Sequence, residues 1–159
     1  MTMVPAIVAG IRRCLARVVI AIIGSLTSIG VASADCLDNA ATYHGVDPML
    51  LRSIAMHESG MNPSAINRSN SDGSEDLGLM QINSMHLRRL ARYGIDRSSL
   101  LDGCINAYVG AWILRENIDR LGPTWKAVGA YNAVSPNKQY AYVKRIYAMW
   151  TRLQRTSGQ

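Results

Sequence analysis

The stretch from Asp47 to Pro63, Asp-Pro-Met-Leu-Leu-Arg-Ser-Ile-Ala-Met-His-Glu-Ser-Gly-Met-Asn-Pro, decides how the chain is read. Asp47 stands where it can cap a helix, Pro48 suits the first helical position, and Gly60 lies just past the end. Within that helix Glu58 follows Ile54 by four residues, Leu51 by seven and Leu50 by eight, so it falls on the apolar side. A carboxylate there loses hydration, which disfavours its charged form and raises its pKa. A carboxylic acid still protonated near neutral pH can pass a proton to a leaving oxygen, the step that cleavage of a glycosidic bond requires. The helix position by itself fits better a terminal glutamate that reaches solvent or an arginine.

Downstream, Asn62 to Gly73 is polar and broken, and Asp72-Gly73 signals a tight turn. A small β-hairpin between Ala65 and Ile82 is expected. Helical patterns then return at Ser84 to Tyr93, which ends at Gly94. From Asp102 onward Cys104, Ala107, Ala111, Leu114, Ile118 and Leu121 recur every three or four residues until Gly122-Pro123. Thr124 is placed to cap a short helix through Asn132, and Ser135-Pro136 opens the last one. There Tyr140, Val143, Tyr147 and Trp150 share one face and Tyr142, Ile146, Met149 and Leu153 the neighbouring face, a width that predicts a helix packed into the domain. The fold class is α+β, predominantly α-helical, with one small hairpin. The domain is expected over 35–155, with a frayed tail at 156–159.

Upstream, Arg12, Arg13 and Arg17 precede an uncharged apolar run from Val18 to Gly30, and Ala32-Ser33-Ala34 is a small-x-small cleavage site. That order is a secretory signal peptide over 1–34. The run is too short to span a membrane comfortably, and Asp35 before Cys36 argues against a lipoprotein. Cleavage after Ala34 removes three arginines and leaves 14 Lys/Arg against 11 Asp/Glu, so the net charge falls from +6 to +3. Cys36 and Cys104 remain. An exported pair is expected to form a disulfide, the alternative being two buried thiols. Neither cysteine has a metal-ligand spacing, and no metal or other cofactor is indicated.

Three motifs follow one another: His57-Glu58-Ser59-Gly60-Met61-Asn62-Pro63, Gly78-Leu79-Met80-Gln81-Ile82-Asn83, and Ala130-Tyr131-Asn132. Together, from Cys36 to about Trp150, they resemble the lytic transglycosylases with a lysozyme-like domain. Asp76 just before the second motif, with Cys36 and Cys104, is similar to the small branch that accompanies type III secretion, type IV secretion and pilus machines. The resemblance implies an enzyme that cuts the MurNAc-GlcNAc β-1,4 bond of peptidoglycan, forms 1,6-anhydro-MurNAc and opens the wall locally for such a machine. It implies Glu58 as the single acid/base, Ser59 as a hydroxyl that orients Glu58 or touches substrate, and Gln81 with Met80 in the cleft. Tyr131 would hydrogen-bond near the acid, Asn132 would shape that loop, and Tyr142 would be the aromatic of the last helix that faces the cleft. Asp76 is read either as a second cleft carboxylate with a catalytic role or as a turn aspartate ordering the hairpin through backbone hydrogen bonds. The family's tyrosine motif is often Ala-Tyr-Asn-x-Gly. Val134 stands where the glycine would be, which puts the following turn in question.

Other residues carry plainer readings. His57 points elsewhere on its helix, His44 and His86 are surface or helix-end residues, and Trp112, Trp125 and Trp150 are core at helical spacing. Gly73 and Gly78 are turn glycines and not a phosphate loop. Arg88-Arg89 is too short a basic run for nucleic acid. Two rivals to the transglycosylase remain: a hydrolytic muramidase using Glu58 and Asp76, and a non-catalytic wall-binding adaptor of the secretion apparatus. Partners are expected to be glycan strands and secretion or pilus components, with no transmembrane segment after cleavage. The location expected is the periplasm, as a monomer.

Overall fold

The computed structural model describes residues 29–157, with side chains placed from Cys36 onward. The chain divides into a unit of residues 1–32 and one of 33–159, and the fold is that of the second. Most of the expected signal peptide therefore lies outside the described residues. Helix α1, Ile29–His44, begins earlier than Asp35 and runs through the expected cleavage point. Leu37, Ala40 and Ala41 are its buried contribution to the core.

Helix α2, Pro48–Ser59, forms as its end signals predict: the Asp47 carboxylate accepts from the Leu50 N–H at 2.8 Å, and Gly60 closes it with φ +62°. Leu51, Ile54 and Ala55 are fully buried. The region beyond differs from the expected single hairpin. Strands β1 (Ile66–Asn67), β2 (Asp76–Leu77) and β3 (Ile82–Asn83) form a three-stranded antiparallel sheet in that order. Ile66 pairs with Leu77 and Asn67 with Asp76; Asp76 in turn pairs with Asn83 and Leu77 with Ile82. The third strand joins because Leu77 and Ile82 both enter the core, so burial and pairing favour the same register.

The β2–β3 turn demands glycine. Gly78 has φ +76°, and a Cβ there would collide with the Leu100 carbonyl and the Asn106 side chain. Asn106 is fully buried and bonded on every side. Its amide donates to Leu77 O at 2.8 Å and Leu100 O at 2.7 Å, and its Oδ1 accepts from Met80 N at 2.6 Å. It belongs to α4, Gly103–Leu121, which Asp102 caps through Cys104 N and Ile105 N. Between the sheet and α4, the helix expected at Ser84 to Tyr93 is a 3₁₀ turn at Ser84–His86, a single α turn α3 at Leu87–Leu90, and another 3₁₀ turn at Ala91–Tyr93. The Cys36–Cys104 disulfide ties α1 to the start of α4, with Cα atoms 5.1 Å apart, so the two-thiol alternative is set aside.

Helix α5, Trp125–Asn132, starts without the side-chain cap expected of Thr124. Helix α6, Pro136–Ser157, packs on α2 and α5. It is less buried than its two apolar faces predict: only Tyr142 and Ile146 are fully inside, while Tyr140 is 68% and Tyr147 50% exposed. Among the described residues no element covers its outer side, so half of the apolar stripe faces solvent or packs sideways. Trp125, Tyr147 and Trp150 make such a lateral cluster, with centroids 5.1 to 6.0 Å apart. The helix also continues through Thr156 and Ser157, inside the stretch expected to fray.

Candidate functional site

A groove of about 770 Å³ runs between α2 and the sheet. One wall is Glu58 at the end of α2 together with Ala130 to Val134, where α5 stops. The other is the sheet with Asn67, Asn70, Asp76, Gln81 and Asn83, and Ile113 and Asn117 of α4 lie at its base. The order of motifs along the chain thus becomes three edges of one cleft.

Glu58 is half-buried, as its position after Leu51 and Ile54 requires. Tyr142 donates to its Oε1 at 2.6 Å from the inner side of α6. Burial pushes the Glu58 carboxyl up to about 7; the Tyr142 hydrogen bond pulls it down, and the negative charge of Asp76 adds a further upward push. Burial, with Glu58 adding to it, holds the Tyr142 hydroxyl far above its ordinary pKa, so it remains a donor. His57 sits at the rear, its ring 5.3 Å from that of Tyr142.

Asp76 is built in differently. Its Oδ1 accepts from Asn83 at 2.8 Å, and its Oδ2 from Asn67 at 2.9 Å and Asn70 at 3.0 Å. It both lines the cleft and orders the sheet, through side-chain amides and not through the backbone bonds of the turn reading. Glu75 points away, between Arg68 and Arg97. Gln81 lines the groove with φ +48°, an uncommon conformation for a residue other than glycine, and its amide donates to Gly78 O at 2.8 Å.

Several expected contacts lie elsewhere. Ser59 does not reach Glu58: its hydroxyl donates to Leu79 O at 2.7 Å and accepts from Asn62 N at 3.0 Å, joining α2 to the sheet turn. Met80 does not line the groove, because its side chain is fully buried against Gly110. Its carbonyl accepts from the Tyr131 hydroxyl at 2.9 Å, so Tyr131 clamps the sheet to α5 while lining the cleft. Asn132 lines the cleft as well. Tyr142 touches Glu58 from behind rather than facing the opening. The missing glycine after Asn132 has no cost: Ala133 is extended at φ −156°, and Val134 is not in the left-handed region.

Sequence reading missed Asn67, Asn70 and Asn83 as site residues. The available signal was a run of asparagines on either side of Asp76, which turn chemistry explains just as well. Among the described residues no group of three or more His, Cys, Asp or Glu could hold a metal ion. The site is instead a cleft of amides, lined also by Glu58 with its carboxyl pushed up to about 7, by Asp76, and by the Arg89–Glu116 ion pair. Such groups match sugar hydroxyls and N-acetyl amides, which both donate and accept.

A mostly helical domain with a small sheet and a carboxyl-bearing cleft defines the class, and the chain matches the family described as Transglycosylase SLT domain over residues 35–145. It belongs to that family. Invasion protein IagB of Salmonella typhi is 45% identical over 139 residues, covering 84% of this chain and 86% of that protein. Protein IpgF of Shigella flexneri is 40% identical over 131 residues, covering 79% and 86%. A peptidoglycan-binding-like protein of Escherichia coli O157:H7 is 37% identical over 139 residues, covering 80% and 83%.

These relatives correct one expectation. The resemblance implied a lytic transglycosylase, a glycosidic-bond lyase. The names of these relatives speak of invasion and of peptidoglycan binding, and none of them states cleavage. They favour the wall-binding adaptor over either enzymatic reading.

Proposed function

We propose that this protein is a wall-binding adaptor, holding a peptidoglycan glycan strand in the Glu58–Asp76 groove on behalf of an assembly that passes through the cell wall. One observation carries the reading: the cleft sets a carboxyl that keeps its proton up to about pH 7 and a carboxylate fixed in an amide cradle among further amides, groups that match sugar hydroxyls and N-acetyl groups. Glu58 would donate its proton in a hydrogen bond to a sugar oxygen, while Gln81 and Asn132 would contact hydroxyl or N-acetyl groups. The periplasm is the compartment in which such a chain would meet the wall. Among the described residues no helix is long and apolar enough to cross a membrane, and the disulfide suits an oxidising compartment. The assembly is identified only by class, from the relatives named for invasion.

Co-sedimentation with insoluble peptidoglycan, followed by mass spectrometry of the supernatant, tests this. Binding with no soluble muropeptides is the expected result. Muropeptide release by the wild type that disappears in Glu58→Gln would overturn the adaptor reading, and so would a failure to bind.

A further inference from the structure

The charge of this domain is unevenly placed. Residues 35–135 hold nine Lys/Arg and eleven Asp/Glu, whereas α6 holds five Lys/Arg and no acid. The whole positive excess of the chain after residue 34 is therefore on one helix. Lys138, Ala141, Arg145, Ala148, Arg152 and Arg155 recur at three- and four-residue steps, which places them on one face, and all are exposed. The stripe extends about 25 Å along the helix axis at 1.5 Å per residue. The alanines between the cations keep it open. Among the described residues none of these cations makes an ion pair.

A solvated helix face in a folded domain usually mixes charges of both signs, because unscreened like charges on neighbouring turns repel one another. Four cations in the row, with Lys144 as the helix's fifth and no acid, forgo that compensation. The core side of α6 carries Tyr142 and Ile146, and the exposed Tyr140 and Tyr147 lie off the row of cations. A ladder of cations along a straight rod suits an extended polymer with repeating negative charges. The same helix backs the groove wall that carries Glu58. Tyr142, which bonds Glu58, lies on the turns flanking the stripe, and Arg145 is near enough to His57 on α2 to act on its charge.

We propose that this face of α6 binds the carboxylates of the peptide stems that peptidoglycan carries along its glycan, so that one polymer engages the groove through its sugars and α6 through its stems. This rests on the groove reading, and it assigns the stems to a separate surface. Binding through α6 falls with rising salt, while binding through an uncharged sugar groove does not.

The test uses the full chain after residue 34, purified oxidised, with intact sacculi and with glycan strands stripped of their stems by an amidase. The variants are K138Q/R145Q/R152Q for the face and Asp76→Asn for the groove, each checked for an unchanged circular dichroism spectrum. The face variant should bind intact sacculi at least tenfold more weakly at low salt, lose most of its salt dependence, and bind stem-free glycan like the wild type. The groove variant should lose affinity for both materials. A face variant that binds intact sacculi as the wild type does overturns the proposal. So does one that weakens equally on stem-free glycan, or one whose only loss is on vesicles of anionic phospholipid, which would make a membrane the occupant. If wild type ignores stem-free glycan yet binds sacculi through these cations, the groove reading fails and the α6 assignment stands.

Discussion

Glu58 and Asp76 face one groove from walls built on different principles. The Glu58 wall is helical: the carboxyl ends an apolar face, has Tyr142 as its hydrogen-bond donor, and is held neutral to about pH 7 by lost hydration. The Asp76 wall is a three-stranded sheet of two-residue strands, and there three asparagine amides stand in for water around the carboxylate. Two carboxyls in one cleft can thus serve opposite ends, one as a donor and one as an acceptor, because one wall removes hydration and returns a single donor while the other supplies three.

The largest expected effect comes from separating the Asp76 wall from the core. Asn106 holds Leu77 O, Leu100 O and Met80 N at once. Asn106→Ala removes three buried hydrogen bonds and should destabilise the fold by about 4 kcal/mol. Urea denaturation measures this, and a loss under about 1 kcal/mol would show that the sheet is held by other means.

The next effect belongs to the Glu58 wall and depends on pH. Unfolded, the Glu58 carboxyl titrates near its ordinary 4.5; folded, it titrates near 7. Between these values the native state keeps a proton that the unfolded state has released, so stability falls as pH rises through the window. The cost is absent below 4.5 and complete above 7, at roughly 3 kcal/mol. Glu58→Gln should therefore be more stable than wild type at pH 8 by nearly that amount and equal to it at pH 4. Denaturation curves at the two pH values decide it, and a gain independent of pH would break the comparison.

Asp76→Asn sets a fourth amide among three, facing donors toward donors, and should cost about 2 kcal/mol. It also removes the charge that raises Glu58, so the Glu58 titration should move down when followed by carboxyl NMR. The smallest effect is Tyr142→Phe. Without that hydrogen bond Glu58 should titrate higher, with a stability change of about 1 kcal/mol, and an unmoved titration would show that the bond is not formed in solution.

The Glu58 wall was legible in the chain and the Asp76 wall was not. Asp47, Pro48 and Gly60 bound α2 through local chemistry, and the helical period then places Glu58 among apolar residues. Asp76 has no such local determinant, because its partners come from strands and loops six to nine residues away. Ser59 and Met80 were assigned to the cleft by motif, but whether a residue lines a cavity or backs it depends on what packs behind it. Leu79 claims the Ser59 hydroxyl, and Gly110 receives the Met80 side chain.

By itself, then, the sequence determined α2 and α4 with their ends, the cysteine pair, the family and the side of α2 on which Glu58 stands. These follow from steric and hydrogen-bonding preferences acting over a few residues, or from residues in a recognisable order. Only the tertiary structure decided that the hairpin is a three-stranded sheet, that Asn106 ties it to α4, and that Asp76 is enclosed by amides. It also showed α6 as a surface helix with an open row of cations. Those outcomes depend on long-range burial, where one buried polar group or one uncovered helix face changes the role of many residues at once.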